Sequence, residues 1–118
     1  MTRRFAIIQA RTGSTRLPRK VLRPLGDRPV LAWVVGAARE SRVCAEIVVA
    51  TTTDPGDDEV VVLATDLGAT VVRGPVYDVL SRYMLAVDAV GAKRGDAIIR
   101  LTADCPLLDQ HAIALFAN

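Results

Sequence analysis

Two cysteines, one histidine and 4% aromatic residues are the scarcities of this 118-residue chain. Cys44 and Cys105 form no Cys-x-x-Cys pair and His111 is the lone imidazole, which argues against a zinc site. The two thiols read as small buried hydrophobes of a reducing compartment. With so few rings the core has to be built from Val, Leu, Ile and Ala, and the stacking surfaces of a nucleic-acid binder are missing. Long apolar runs are absent too. Val43 to Ala50 falls far short of the ~20 residues that cross a bilayer, so no membrane partner is expected. The start, Met1-Thr2-Arg3-Arg4, is basic like a signal peptide, but the following run Phe5-Ala6-Ile7-Ile8 stops at Gln9 and Arg11. That is too short for a signal sequence, and the expectation is a cytoplasmic protein with Phe5–Gln9 as its first strand.

What is present is a 51% hydrophobic chain of one domain's length, with a charge asymmetry hidden under a net charge of +2. Residues 1–42 hold ten Lys/Arg against two acids, whereas residues 43–118 hold five against eleven. Several of the N-terminal charges lie in one loop directly after the first strand, which suits an anionic ligand.

Strand-like and helix-like segments alternate. After Phe5–Gln9 comes a polar, basic loop from Ala10 to Asp27, then Pro29 in the first turn of a helix over Val30–Glu40 that is apolar nearly all round. Ile47–Ala50 reads as a second buried strand, followed by the turn Asp54-Pro55-Gly56-Asp57-Asp58. Val60, Leu63, Ala64 and Leu67 share one helical face, and Gly68 ends that helix. Thr70–Val72 is the third strand. Leu80, Tyr83, Met84 and Val87 repeat the helical spacing, closing near Gly91, and Ala97–Ile99 is the fourth strand. Asp109 would cap a last helix carrying Ile113 and Phe116. Near-continuous apolar strands joined by amphipathic helices predict an α/β fold, with a mostly parallel sheet covered by helices on both faces. Ligands of such sheets bind beyond the carboxyl ends of the strands.

The loop after the first strand reads Gln9-Ala10-Arg11-Thr12-Gly13-Ser14-Thr15-Arg16-Leu17-Pro18-Arg19-Lys20-Val21. It lacks the second and third glycines of a dinucleotide-binding fingerprint. It also places Pro18 and Arg19 where a Walker A loop needs glycine and lysine. Its composition nonetheless suits a triphosphate. Gly13 admits close backbone approach, Ser14 and Thr15 add hydroxyls, and Arg11, Arg16 and Lys20 can clamp phosphate oxygens. A solvated basic loop has the same composition, and the residue types alone do not separate the two. Asp104, just past the fourth strand and before Cys105-Pro106, is placed to hold a cation; a capping carboxylate fits the same position.

The stretch from Ile7 to Leu22 resembles the signature loop of the cytidylyltransferases, and most of all that of the spore-coat polysaccharide biosynthesis type. It departs once, with Arg19 where that family usually has glycine. Ala50-Thr51-Thr52-Thr53-Asp54, Arg73-Gly74 with Asp78-Val79-Leu80-Ser81-Arg82-Tyr83, and Arg100-Leu101-Thr102-Ala103-Asp104-Cys105-Pro106-Leu107 also look like segments of that family. Ala103 stands in the last of these where glycine is usual. The resemblance spans essentially the whole chain. It implies a three-layer α/β/α, Rossmann-like nucleotide-diphospho-sugar transferase fold, of which residues 1–118 form the nucleotide-binding portion. It implies nucleotide contacts from Ala10, Arg11, Gly13, Ser14, Arg16, Lys20, Thr52, Arg73 and Thr102, catalytic charge stabilisation by Arg11, Arg16 and Lys20, and a Mg²⁺ held by Asp104. Asp54 reads more simply as a turn residue. Asp78 and Arg82 stand open between lining the site and, respectively, capping a helix and sitting solvated on its surface. Gly74 is expected to let the chain turn.

The reaction so implied is transfer of a nucleoside monophosphate from CTP, or another nucleoside triphosphate, to a sugar or sugar-acid acceptor. Two alternatives remain: a nucleotide-binding module without turnover, and a glycosyltransferase of related fold. The second fits less well, since Thr102-Ala103-Asp104-Cys105 lacks an Asp-x-Asp pair. Standing alone, a chain of this length would carry a site half built, or completed by the partner in a homodimer.

Overall fold

The apolar run after Arg3 forms β1 (Arg4–Gln9), whose four inner residues are all buried. The computed structural model describes residues 3–13, 20–40, 44–93 and 95–102. Along β1 the side chains alternate between two cores, as a strand's pleat requires. Ala6 and Ile8 face one, and Phe5 and Ile7 the other. That double burial is why the run is continuously apolar.

The expected loop from Ala10 to Asp27 contains more order than composition suggested. A short 3-10 turn covers Lys20–Leu22, and a two-residue hairpin pairs β2 (Pro24–Leu25) with β3 (Arg28–Pro29) around Gly26, whose φ is +68°. Pro29 thus ends β3 and does not enter the helix, which begins one residue later as α1 (Val30–Glu40). The Trp33 indole N–H donates to the Leu25 carbonyl at 2.6 Å, and Arg28 stacks over its ring, tying hairpin to helix.

The second predicted strand extends further at both ends, as β4 (Glu46–Thr52). A 3-10 turn at Pro55–Asp57 leads into α2 (Asp58–Asp66), where Val60 and Ala64 are buried and Leu63 and Leu67 pack beside them, as their spacing predicts. Gly68 follows at φ +81°. Then come β5 (Thr70–Gly74), α3 (Val79–Ala89) and β6 (Ala97–Thr102). The sheet order is β5-β4-β1-β6, all parallel. Helices α1 and α2 bury against one face, with Leu31, Val34, Val35 and Val60 on Ala6, Ile8 and Val49. Helix α3 covers the other, with Ala86 and Val90 on Phe5, Ile7, Val48 and Ala50. The expected three layers are present. Cys44 packs half-buried at the edge of the first core.

Helix α3 corrects one reading. Tyr83 and Val87 pack inward as predicted, but Leu80 and Met84 are 68% and 48% exposed, and the buried positions are Arg82 and Ala86. Apolar residues occupy both sides of this helix, so their spacing alone does not say which side meets the sheet. The last predicted helix, with Asp109, Ile113 and Phe116, and the residues Cys105 and His111 lie outside the described residues.

Candidate nucleotide site

Because the four strands are parallel, their carboxyl ends share one edge, with Gln9 opposite both Ala50 and Thr102, and Thr52 opposite Gly74. Ala10 continues β1 beyond Gln9. It is buried, and its N–H donates to the Ala50 carbonyl at 3.0 Å. Arg11 then turns out into solvent. Thr12 is held inward: its N–H and hydroxyl both donate to Asp57 Oδ1, at 2.7 and 2.8 Å. The other oxygen of Asp57 accepts from the Thr52 hydroxyl, which in turn accepts from the Asp54 N–H at 3.2 Å. Asp57 is only 2% exposed. A buried carboxylate is tolerated where its lone pairs are occupied, and here three donors occupy them.

Gly13 lies exposed beyond this anchor. Among the described residues, a β-carbon there would meet nothing closer than the Arg11 guanidinium at 4.0 Å.

Arg73 extends from β5 across the loop after β4. Its Nε donates to the Thr52 carbonyl at 2.7 Å, one terminal nitrogen to the Asp54 carbonyl at 3.0 Å, and the other meets Asp58 at 2.9 Å. All three nitrogens thus have protein partners. Thr52, fully buried, likewise spends its hydroxyl on Asp57 and Asp54. Both side chains thus have protein partners at the edge where a nucleotide contact is expected of them. Asp54 behaves as the turn residue it resembles, accepting from Gly56 N–H at 2.7 Å.

Arg82 is 3% exposed, which removes the reading of a solvated helix charge. Its guanidinium donates to Gln9 Oε1 at 3.3 Å and to the carbonyls of Pro75 and Val76 at 2.9 and 2.8 Å. Burial, and then the nearby charge of Arg11, push its pKa below the ordinary arginine value, while Asp57 and Asp78 pull it up. The buried guanidinium thus sits beside the end of β1, with the charges of Arg11, Asp57 and Asp78 acting on it. Asp78 caps α3, accepting from Ser81 N–H at 2.9 Å and Ser81 Oγ at 2.7 Å, and these bonds hold its pKa below the usual carboxylate value.

Lys20 opens the 3-10 turn and Thr102 closes β6 beside Gln9. Ser14, Arg16 and Asp104 lie outside the described residues. Among the described residues no group of three or more His, Cys, Asp or Glu side chains could hold a metal ion. Sequence reasoning missed Asp57, Thr12 and the Gln9–Arg82 pair. Asp57 sat inside an Asp-Pro-Gly turn signal that explains an aspartate without any tertiary role.

A parallel sheet with helices on both faces and a braced loop after its first strand define an α/β protein of the nucleotide-diphospho-sugar transferase fold. The profile of the family described as cytidylyltransferase matches residues 5–118. The chain belongs to the cytidylyltransferase family. It is 41% identical over 111 residues to the spore coat polysaccharide biosynthesis protein SpsF of Bacillus subtilis, covering 91% of this chain and 45% of that one. It is 36% identical over 117 residues to the 3-deoxy-manno-octulosonate cytidylyltransferase of Acidobacterium capsulatum, covering 96% and 44%. The structure of a cytidylyltransferase from Leptospira borgpetersenii superposes with a TM-score of 0.88 at 36% identity, over 98% of this chain and 47% of that one. The chain spans less than half the length of these relatives.

Proposed function

We propose that the protein binds CTP over the carboxyl ends of β1, β4 and β6 and transfers its cytidylyl group to a sugar or sugar acid. The reaction would serve surface or spore-coat polysaccharide biosynthesis in the cytoplasm. A hydroxyl oxygen of the acceptor attacks the α-phosphorus in line and gives up its proton to water, the bond to the bridging oxygen breaks, and pyrophosphate leaves with the pair. Arg11, Arg16 and Lys20 hold the charge of the triphosphate and of the leaving pyrophosphate. Gly13 and Ser14 supply close donors, and Ala10 and Thr102 shape the edge where the paired strands β1 and β6 end. Thr52 and Arg73 act from beneath, by fixing the loop after β4. Asp104, two residues past Thr102, would hold Mg²⁺, and one carboxylate with substrate phosphates is a donor set that suits this ion. Bound there, Mg²⁺ would neutralise phosphate charge and orient the displacement.

The observation that carries this reading is the loop after β1 at the carboxyl edge of the sheet, held at Thr12 by buried Asp57 and leaving Arg11 outward in solvent. Its test is pyrophosphate release with CTP, Mg²⁺ and a panel of acidic sugars, for the wild-type chain and Asp104→Ala, beside a CTP-binding titration. Turnover that disappears in the variant supports the reading. Failure to bind CTP overturns it. Binding without turnover selects a second reading, a nucleotide-binding unit whose acceptor site is built by a homodimer partner or by the further length its relatives have.

A further inference from the structure

Asp57 occupies the N-cap position of α2, where an aspartate ordinarily bonds its own helix's free N–H groups, yet its side chain makes no such bond. The carboxylate is spent on two other segments. Oδ1 takes both donors of Thr12 in the loop after β1, and Oδ2 takes the hydroxyl of Thr52 at the end of β4. One buried group thus joins a loop 45 residues before it to a strand end 5 residues before it. The bracket needs room: a β-carbon on Gly56 would stand 3.2 Å from the Thr12 hydroxyl and 3.1 Å from Asp54 Oδ1. It is also stiffened from below, since Arg73 clasps the carbonyls of Thr52 and Asp54.

A bare carboxylate under a polyphosphate would repel it. Three donors and the positive end of α2 absorb this charge, so the group can sit beneath an anion site without spoiling it. The bracket also decides which amides face a ligand. Thr12 N–H is committed inward and is not offered to a phosphate, and Arg11 is left as the outward side chain on the near side of the anchor.

We propose that Asp57 is a positioning residue for the triphosphate: by bridging Thr12 and Thr52 it fixes the backbone from Arg11 to Gly13 in a phosphate-ready path. The inference rests on the nucleotide reading above and adds a residue to it. A loop fixed in advance binds without losing conformational freedom at that moment, so its value appears in affinity for the phosphates and not for the base.

The experiment compares the affinities of CTP and cytidine for the full chain, in wild type and in Asp57→Ala, Asp57→Asn and Thr12→Val, with melting temperatures alongside. Asp57→Ala is expected to weaken CTP binding about tenfold or more, the scale of a lost charge-assisted hydrogen bond, and to leave cytidine binding unchanged. Asp57→Asn keeps an accepting oxygen and the shape, and is expected to recover most of the loss. Thr12→Val removes one bond at constant shape. A smaller loss, again confined to CTP, is expected there, and it tests the idea even if Asp57→Ala does not fold. Equal weakening of CTP and cytidine, or no weakening in any variant, overturns the positioning role while wild-type CTP binding stands. A wild type that binds no CTP overturns this inference together with the reading it rests on.

Discussion

An ideal β-carbon built on Gly74 would lie 2.9 Å from Cγ of Arg82, and 3.0 Å from Leu85 Cδ1. The glycine at the end of β5 is there so that α3 can press against the strand, and Arg82 owes its burial to that approach. Gly74→Ala is therefore expected to destabilise the fold by about 1–3 kcal/mol, the usual cost of overpacking a tight contact. A urea unfolding curve with a lowered midpoint and unchanged slope would show it; an unchanged midpoint would mean α3 sits further from β5.

That glycine also marks the limit of what the sequence could reveal. Its position after a strand suggested a turn, but its backbone is not among the positive-φ glycines, and its reason is a neighbour 8 residues on. The strands were legible because burial on both faces writes itself as unbroken Ile, Val and Ala. The first loop was legible because glycine, hydroxyls and guanidiniums crowd into a few positions. Asp57, Arg73 and Arg82 were not, since a polar side chain's partner across 45, 21 or 73 residues leaves no local pattern. The small hairpin at Gly26 was hidden for a different reason: two-residue strands are too short to show any period.

Arg82 should resist conservative replacement. Its planar fork serves the carbonyls of Pro75 and Val76 from one nitrogen and Gln9 from another, which a lysine's single ammonium cannot reproduce in the same geometry. Both Arg82→Met and Arg82→Lys are expected to cost about 1–3 kcal/mol through polar groups left unpaired. Equilibrium denaturation of the two variants checks this, and full recovery by lysine would show that charge alone is what the position needs.

The orientation of α3 gives a contrast that sequence spacing would assign the other way. Leu80 and Met84 line an open hollow of about 440 Å³ with Pro75, Asp78, Ser81, Leu85 and Asp88. Leu80→Ser and Met84→Ser should each change stability by no more than about 0.5 kcal/mol, as surface substitutions do. Ala86→Leu, pushed into the core beside Phe5 and Val48, should cost about 1–3 kcal/mol. Thermal melts of the three variants decide between this packing and one with Leu80 and Met84 inward.

The cap on α3 carries a pH signature. Asp78 has its pKa held below the ordinary 3.8, chiefly by the Ser81 N–H and then by the Ser81 hydroxyl. A group with a depressed native pKa contributes stability that is present above its unfolded value and is lost as pH falls through the native one. The stability gap between wild type and Asp78→Ala is thus expected to be full near neutrality and to close only in acid, below 3.8. Denaturation midpoints followed across that range provide the check. A gap independent of pH would mean the side chain contributes by shape and not by its charge.

Arg11 is the described basic side chain that leaves the anchored loop directly for solvent, and its charge is felt by buried Arg82. Arg11→Ala removes an exposed charge that would attract a phosphate near Gly13, and it takes away no hydrogen bond of the loop's anchor, which runs through Thr12. Binding should weaken and the fold should not. The expected outcome is a loss of CTP affinity of about tenfold or more, matching one charge-assisted contact, with a melting temperature equal to or above that of wild type. The loss should shrink as salt is added, because Arg11 is exposed and its long-range attraction is screened. Calorimetric titrations of CTP at low and high ionic strength, beside thermal melts of the same two proteins, read both quantities. An Arg11→Ala chain that binds CTP as well as wild type would move the phosphate site away from this loop's first residues, toward the later basic residues Arg16 and Lys20.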